Sequence, residues 1–133
     1  GGLVSVQNEW SPRSRNNAEV REICAQYGIA FLPWSPLGGI DNSDNLTNAH
    51  FSVFEEQAKK HGVSRYAITI AWHLATSAQS IPIPGATRKE SILDNVTGLS
   101  VNLSADDLAA LNDSLPANLP LDEMLVPQPP FRD

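Results

Sequence analysis

A chain of 133 residues with 41% hydrophobic and 18% charged residues can form one domain with a hydrophobic core, and its composition is typical of globular proteins. The net charge of −6 argues against nucleic acids and anionic membrane surfaces as partners, because the chain repels phosphate groups. Cys24 is the single cysteine, which excludes internal disulfides and cysteine-rich metal sites and fits a cytoplasmic protein. No apolar run has membrane-spanning length, and we expect no signal peptide.

The first strand is predicted over residues 3–10, LVSVQNEW, which are rich in apolar and β-branched residues and become polar from Gln7. A helix capped by Asn16 or Asn17 follows and ends at Gly28. Four of its residues recur at helical spacing and are expected to face the core: Val20, Ile23, Cys24 and Tyr27.

A second strand, IAFLPW, is predicted over residues 29–34, with Pro33 marking a strand end or a bulge. The glycine-rich loop 35–39 that follows is only a weak phosphate-binding signal, since no G-x-G-x-x-G or P-loop pattern occurs. Residues 41–48 form a polar loop, which fits either a lid or a plain connection.

Two helices come next, one over residues 48–61 and one capped by Ser64. The apolar residues expected to face the core are Phe51, Phe54 and Ala58 in the first helix and Ala67, Ile70, Ala71 and Leu74 in the second. The three histidines, His50, His61 and His73, show no metal-ligand spacing, so solvated or capping roles are favoured and no metal site is predicted.

Residues 80–95, SIPIPGATRKESILDN, predict a strand over Ile81–Pro84, a turn at Gly85 and a helix opened by a capping box of Thr87 and Glu90. Arg88 is then expected in the first turn, where backbone N–H groups and the helix dipole favour a phosphate. An ordinary strand-to-helix corner with a solvated arginine fits the same pattern. The helix is expected to turn its apolar stripe, Ile92, Val96 and Leu99, toward the core.

The last helix is predicted after Ser104, with Asp107 completing a second capping box and with Leu108, Leu111 and Leu115 on one face. From Pro116 onward the chain is proline-rich and aperiodic, so we divide it into residues 1–115 and a tail, 116–133, that lies extended on the surface or is disordered.

Strands separated by helices imply right-handed crossovers and a parallel sheet. The polar residues follow the carboxyl ends of the strands, where a (β/α)₈ barrel has its active site. The predicted fold is therefore α/β, a partial (β/α)₈ (TIM) barrel with parallel strands and outer helices. A three-strand doubly wound sheet is the alternative, weakened by the missing dinucleotide fingerprint.

Three motifs resemble the aldo-keto reductases: VQNEWS at residues 6–11, GIAFLPWSPLGG at residues 28–39 and IPIPGATRKESILDN at residues 81–95. Their order and spacing match the last three strand–helix units of that family's barrel, and the similarity continues through LSADDLAALN at residues 103–112. The resemblance implies an oxidoreductase that reduces aldehydes or ketones with NADP(H).

The resemblance also implies which residues bind the cofactor: Gln7 at the nicotinamide carboxamide, Trp34 stacked on the nicotinamide ring, Ser35, Pro36, Leu37 and Gly39 around the pyrophosphate, Gly85, Thr87, Arg88 and Ser91 around the 2′-phosphate, and Asp94 and Asn95 near the adenine. Thr87 and Ser91 depart from the basic or longer polar residues common in the family, which leaves the preference for NADP over NAD open.

The family's catalytic tetrad of Asp, Tyr, Lys and His comes from earlier strands, and no residue of this chain matches it, so no catalytic residue is predicted. One hypothesis is thus the cofactor-binding part of a reductase, inactive alone, which needs a complementary fragment to meet a carbonyl substrate. A second is a half-barrel module that associates with itself to cover its open strand edges. A cofactor-sensing subunit is a third.

Overall fold

The computed structural model describes residues 2–38 and 52–115. These residues form two strands and five α-helices: β1 (Ser5–Glu9), α1 (Ala18–Tyr27), β2 (Ala30–Trp34), α2 (Ser52–His61), α3 (Arg65–Thr76), α4 (Lys89–Thr97) and α5 (Ala105–Asp113). A single 3₁₀ turn, Gly98–Ser100, follows α4 directly. No helix within these two ranges is both long and apolar enough to cross a membrane.

β2 is the centre of a parallel arrangement. It pairs with β1 in a register that places Ser5 beside Ala30 and Glu9 beside Trp34. On its other side lie residues 79–84, which we call the edge segment. The Phe31 N–H donates to the Gln79 carbonyl at 2.8 Å, and the Ile81 N–H donates back to the Phe31 carbonyl at 2.8 Å. The parallel order predicted from the sequence is confirmed.

The predicted strand over Ile81–Pro84 is only partly correct, because the edge segment forms one isolated parallel bridge, Phe31 with Ser80, and no regular strand. The ladder continues as far as the Ile83 N–H, which donates to the Pro33 carbonyl at 3.1 Å. Pro33 itself has no N–H to return, so the bond expected at that point of a parallel ladder cannot form. Pro33 therefore lies within β2 and limits the hydrogen bonding between β2 and the edge segment.

The helices cover one face of this sheet and leave the other open. Phe31 points toward the helices, is fully buried and meets the Trp10 ring edge-on at 6.4 Å between ring centroids. Because side chains alternate along a strand, Leu32 and Trp34 point to the opposite face. Trp34 is 42% exposed there, and Ile81 of the edge segment is 53% exposed. In the predicted partial barrel, this open face is the side of the sheet that would face the barrel interior.

The core lies between β2 and helices α2, α3 and α5. α3 is buried over a continuous run from Ala67 to His73, so it forms the centre of the helical layer. Phe54 of α2 packs edge-on against Trp72 at 6.3 Å, and Leu111 of α5 is fully buried in the same cluster. The predicted inward positions Phe54, Ala58 and Leu111 are confirmed, while Phe51 lies outside the described residues.

Local end signals of the helices were largely predicted correctly. The Ser64 hydroxyl accepts the Ala67 N–H at 3.0 Å, and Ser104 and Asp107 form the predicted reciprocal capping box of α5. Gly28 ends α1 with a φ of 66°, a left-handed conformation that glycine adopts without strain. Asn17 precedes α1 as predicted, but its amide donates to the Glu9 carbonyl at 3.0 Å and does not cap the helix.

The predicted apolar face of α1 is only partly correct, since Cys24 and Val20 contact the core while Ile23 is exposed, and that of α4 is wrong. In α1 only Cys24 is buried, whereas Tyr27 is 70% exposed. In α4 no residue is buried, and Ile92 and Val96 are each 52% exposed. These residues have helical periodicity, but Ile92 and Val96 line an open cleft beside α3, and among the described residues no side chain fills it. Periodicity reports which side of a helix is apolar and cannot report whether a partner covers it.

Asp107 joins α5 to α2. Its carboxylate binds the Lys60 ammonium at 2.5 Å and the His61 ring Nε2 at 3.2 Å, while its side chain is 3% exposed. The Lys60 ammonium and the Ser104 backbone N–H hold the pKa of this carboxyl well below its usual range. A buried charge is thus paired on two sides, as its desolvation requires.

Gly98 lies in the contact between α3 and the end of α4, so a substitution there tests this packing. A Cβ at this position would lie 2.6 Å from the Ala67 carbonyl oxygen and 2.8 Å from Ile70 Cβ. We expect Gly98→Ala to lower the free energy of unfolding by about 1–3 kcal/mol, measured by urea denaturation. Gly85→Ala is the matched control, since nothing lies within 4 Å of a Cβ there. Equal stability of the two variants would contradict this packing.

Candidate functional site

Gln7 and Trp34 lie on the same face of two adjacent strands. In the β1–β2 register Gln7 is beside Leu32, and Trp34 is two residues further along β2, so both side chains leave the open face. The Cα atoms of Gln7 and Trp34 are roughly 8 Å apart, because Trp34 lies on the adjacent strand and two residues further along. Both side chains are exposed, and the indole of Trp34 offers a flat apolar surface at the carboxyl end of the sheet.

A tight turn follows Trp34 at the same end of the sheet. The Gly38 N–H donates to the Ser35 carbonyl at 2.8 Å, which closes the turn around Pro36 and Leu37. Ser35 has a φ of 47°, the one positive φ outside glycine among the described residues. Such a conformation costs a residue with a side chain about 1–2 kcal/mol and is concentrated at functional sites. Gly39, the last predicted residue of this group, lies outside the described residues.

His73 of α3 forms a buried hydrogen bond with the backbone of this turn. Its Nε2 lies 2.9 Å from the Pro36 carbonyl oxygen, and the ring is completely buried beside Trp72. Since a carbonyl can only accept, Nε2 carries the proton. Burial lowers the pKa of His73 from its ordinary 6.5 to about 4, with the nearby Arg21 charge acting in the same direction. His73 is therefore neutral at pH 7.

The prediction of a solvated or capping histidine is wrong for His73. The helix around it, ITIAW, is apolar on all sides, and this signal would have placed the imidazole in the core. His61 is half-buried against Asp107, also as a structural contact, and His50 lies outside the described residues.

The second group of predicted residues surrounds the start of α4. The predicted capping box is wrong: α4 begins at Lys89, and Arg88 is the N-cap residue in an extended conformation with no side-chain cap hydrogen bond. Arg88 and Thr87 are both exposed, as is Gly85. The arginine is thus presented at the N-terminal end of the helix, one position before the first turn in which it was predicted.

Asp94 and Asn95 have surroundings that were not predicted. The Asp94 carboxylate accepts the Ser64 hydroxyl at 2.6 Å, so it ties α4 to the N-cap of α3. Asn95 borders an apolar cleft of about 330 Å³ between the edge segment, α3 and α4. Ser91 is half-buried on the same helix. Of these three side chains, Asp94 already has a structural partner.

The two sets of predicted cofactor-binding residues follow two adjacent segments of the sheet, β2 and the edge segment. The hydrogen bonds between β2 and the edge segment continue to the Ile83 N–H and the Pro33 carbonyl, so the turn after β2 and the loop to α4 leave the same end of the sheet. The structure thus brings Gln7, Trp34, the 35–38 turn and Gly85 to one end of the sheet. Arg88 follows Gly85 by three residues at that end.

Comparison with known proteins identifies this arrangement. The model of the Aldo/keto reductase family matches residues 2–115. An uncharacterized oxidoreductase of Schizosaccharomyces pombe is 33% identical over 111 residues, which are 84% of this chain and 35% of the relative. The chain belongs to the aldo/keto reductase family.

Solved structures agree with this assignment. A thermostable aldo-keto reductase in complex with the inhibitor epalrestat superposes with a TM-score of 0.75 at 27% identity over 85% of this chain and 40% of its own. A variant of the protein Gox0644 in complex with NADPH gives 0.68 at 26% identity, over 84% and 38%. The chain therefore spans about two fifths of these barrels, and the predicted α/β partial-barrel fold is confirmed.

Because His73 is buried without charge, the stability of the chain should depend on its titration. Between the ordinary pKa of 6.5 and the folded value of about 4 the unfolded state binds the proton and the folded state does not, so stability falls as the pH falls. We expect a loss of about 2 kcal/mol between pH 6.5 and 5.0. Urea denaturation of the wild type and of His73→Gln, which keeps an N–H donor and does not titrate, measures it. His61→Gln serves as the control and should retain the dependence; if His73→Gln retains it as well, the assignment to His73 fails.

Proposed function

We propose that this chain forms the NADP(H)-binding side of an aldo-keto reductase, an oxidoreductase that interconverts carbonyls and alcohols. The observation that carries the proposal is the placement of Trp34 and Gln7 together on the open face, next to the strained turn at Ser35. A flat exposed indole suits a nicotinamide ring, and an amide beside it suits a carboxamide. When bound, the cofactor supplies the hydride.

The turn after Trp34 suits a pyrophosphate. Ser35 and Leu37 lie within the turn closed by the Gly38 N–H, at the carboxyl end of β2 where the pyrophosphate would lie. The buried bond from His73 to the Pro36 carbonyl fixes the turn before a ligand arrives, which lowers the ordering cost of binding. Gly39 would extend this group.

Arg88 is the residue suited to the 2′-phosphate that distinguishes NADP from NAD. It is exposed at the N-terminal end of α4, where its guanidinium and the helix dipole both favour an anion. Gly85 has open space beside it, and the hydroxyls of Thr87 and Ser91 are additional donors. Asn95 and Asp94 would lie near the adenine, with the carboxylate also held by Ser64.

This role of Arg88 gives a binding prediction. We expect Arg88→Gln to weaken NADPH binding about ten- to hundredfold and NADH binding less than threefold, because a charge-assisted bond to a phosphate contributes about 1.5–3 kcal/mol. Isothermal titration calorimetry with both cofactors measures the difference. Lys89→Gln, one residue further along and equally exposed, is the matched control. Equal losses for NADPH and NADH would contradict the assignment.

We propose further that the chain alone does not reduce carbonyls. The two tyrosines lie on helices: Tyr27 is exposed on α1, and the Tyr66 hydroxyl on α3 accepts a bond from Arg65 at 2.8 Å. Neither lies at the carboxyl end of the sheet, where a proton donor to the substrate would be needed. A complementary part of the barrel would supply that donor and the contacts to an aldehyde or ketone.

Self-association is a second candidate, favoured by the outer edge of β1, which pairs with no strand among the described residues. The Ala30 N–H donates to the Val4 carbonyl at 3.0 Å, so Val4 points toward β2 and, by alternation, Ser5 points its N–H and carbonyl outward. Such an edge is a template for another strand. The exposed apolar residues of the open face would be buried in the same contact.

This second candidate predicts a dimer that depends on the β1 edge. Native mass spectrometry should show a homodimer of the 133-residue chain, and Ser5→Pro should make it monomeric, because proline removes an outward N–H without breaking a bond to β2. Ser5→Thr keeps the N–H and should remain dimeric. A monomeric wild type would rule out self-association, and a complex with a larger fragment would favour the first candidate.

A further inference from the structure

A second cleft of about 790 Å³ opens between α1, α3 and α5. Its lining includes Trp10 and Arg15 before α1, Arg21 within α1, Thr76 at the end of α3, and Leu115 after α5. None of the residues assigned to the cofactor lines it. The cleft is therefore separate from the proposed NADP(H) site, and the inference drawn from it does not depend on that site.

Three residues that line this cleft have a buried donor without a hydrogen-bond partner in the described part of the chain: Trp10 Nε1, Arg15 Nη2 and Arg21 Nε. Arg21 is otherwise well placed, since its Nη2 donates to the Thr76 hydroxyl at 2.8 Å and its guanidinium lies 5.0 Å from the centre of the Trp10 ring. Asp113 also lines the cleft, but within residues 2–38 and 52–115 no ion pair joins it to either arginine. The cleft thus has positive charge and unused donors together.

Unpaired buried donors destabilise a protein, and burial of a cation is more costly still. Desolvation lowers the pKa of both Arg15 and Arg21, which shows that their surroundings oppose the charge that they keep. An anion in the cleft would relieve both costs at once. The planar donor forks of two guanidinium groups fit carboxylate oxygens.

We propose that this cleft binds the carboxylates of Asp122 and Glu123, in the segment 116–133 of the same chain. Leu115 is the last described residue before this segment in the sequence, is buried and lines the cleft. The segment has three acidic residues and one basic residue, Arg132, and therefore the opposite sign to the cleft. Asp122 is seven residues beyond Leu115, a reach of about 20 Å in an extended chain.

The composition of the segment supports this occupant. Five of its 18 residues are prolines, which favour extended backbone and lack an N–H. An extended chain without many donors of its own suits a cleft that offers donors. Its carboxylates would link the start of α1 to the end of α5 and to Thr76 through Arg21, so that the first and last helices of the chain are held together.

The test uses the full 133-residue chain and measures backbone ¹⁵N order parameters of residues 119–125. In the wild type we expect values near those of the folded helices, and in Arg15→Glu values below about 0.6, as for a flexible segment. Amide exchange in the segment should become about tenfold faster. Lys59→Glu, an exposed change of the same charge on α2, is the matched control and should leave the segment ordered.

Two further variants keep the test decisive if Arg15→Glu does not fold. Asp122→Asn with Glu123→Gln leaves the cleft unchanged and should release the segment to the same extent. Arg15→Glu combined with Glu123→Lys should restore its order. A segment that is flexible in the wild type, or equally ordered in all variants, would overturn the proposal. Saturation of the wild-type Arg15 and Arg21 side-chain resonances by millimolar inorganic phosphate would also overturn it, because the cleft would then accept anions from solution.

Discussion

β2 is hydrogen-bonded along both edges, and the rest of the sheet and the turn of the candidate site are positioned by this strand. β1 follows one edge in register, and the edge segment follows the other through Phe31 and Pro33. The Phe31 side chain is fully buried and packs against Trp10, so the same residue fixes the sheet and joins it to the core. The turn that begins at Ser35 is the direct continuation of this strand. The geometry of the candidate site is thus inherited from β2.

The prolines determine which edges of the sheet can grow. The backbone N–H and carbonyl groups of residues 79, 81 and 83 point toward β2. Those of residues 80, 82 and 84 therefore point away from it, toward the outer side of the sheet. Pro82 and Pro84 have no N–H, and the Ser80 N–H already donates to the Ser77 carbonyl. The outer side of the edge segment therefore has acceptors and no free backbone donor, whereas the outer side of β1 has both. An added strand would therefore pair more readily with β1 than with the edge segment. The alternating prolines of IPIPG cause this difference, because they remove the outward backbone donors.

Sequence reasoning succeeded where the determinants are local. The caps at Ser64 and Ser104 and the stop at Gly28 depend on residues within one turn of the chain, and the parallel order follows from the succession of elements. It failed where a distant partner decides. α4 begins one residue later than the Thr87 signal indicated, and the contacts that hold it are distant ones, Gly98 against Ala67 and Asp94 bound to Ser64.

The same distinction applies to the candidate site. Trp34, Gln7 and Arg88 were predicted as cofactor-binding residues because they belong to contiguous motifs with a recognisable family pattern, and that role stays a prediction. His73 was missed because its role depends on a carbonyl 37 residues away in sequence. No periodicity reports such a contact. A polar residue in a helix that is apolar on all sides is the one local sign of it, and it predicts burial without naming the partner.

Under the proposed function, the open face would couple binding of the cofactor to whatever covers the rest of the sheet. Trp34 and Gln7 share this face with Leu32, Ile81 and Ile83, and a nicotinamide at its carboxyl end would cover only part of the apolar surface. A strand added beside β1 would bury more of it and would also enclose the space in front of Trp34. Cofactor binding and addition of the strand would each remove water from the apolar surface around Trp34. We therefore expect the cofactor and the added strand to bind with positive cooperativity. The same covering element would have to carry the proton donor. Affinity for the cofactor and competence for catalysis are therefore expected to arise together when the barrel is completed.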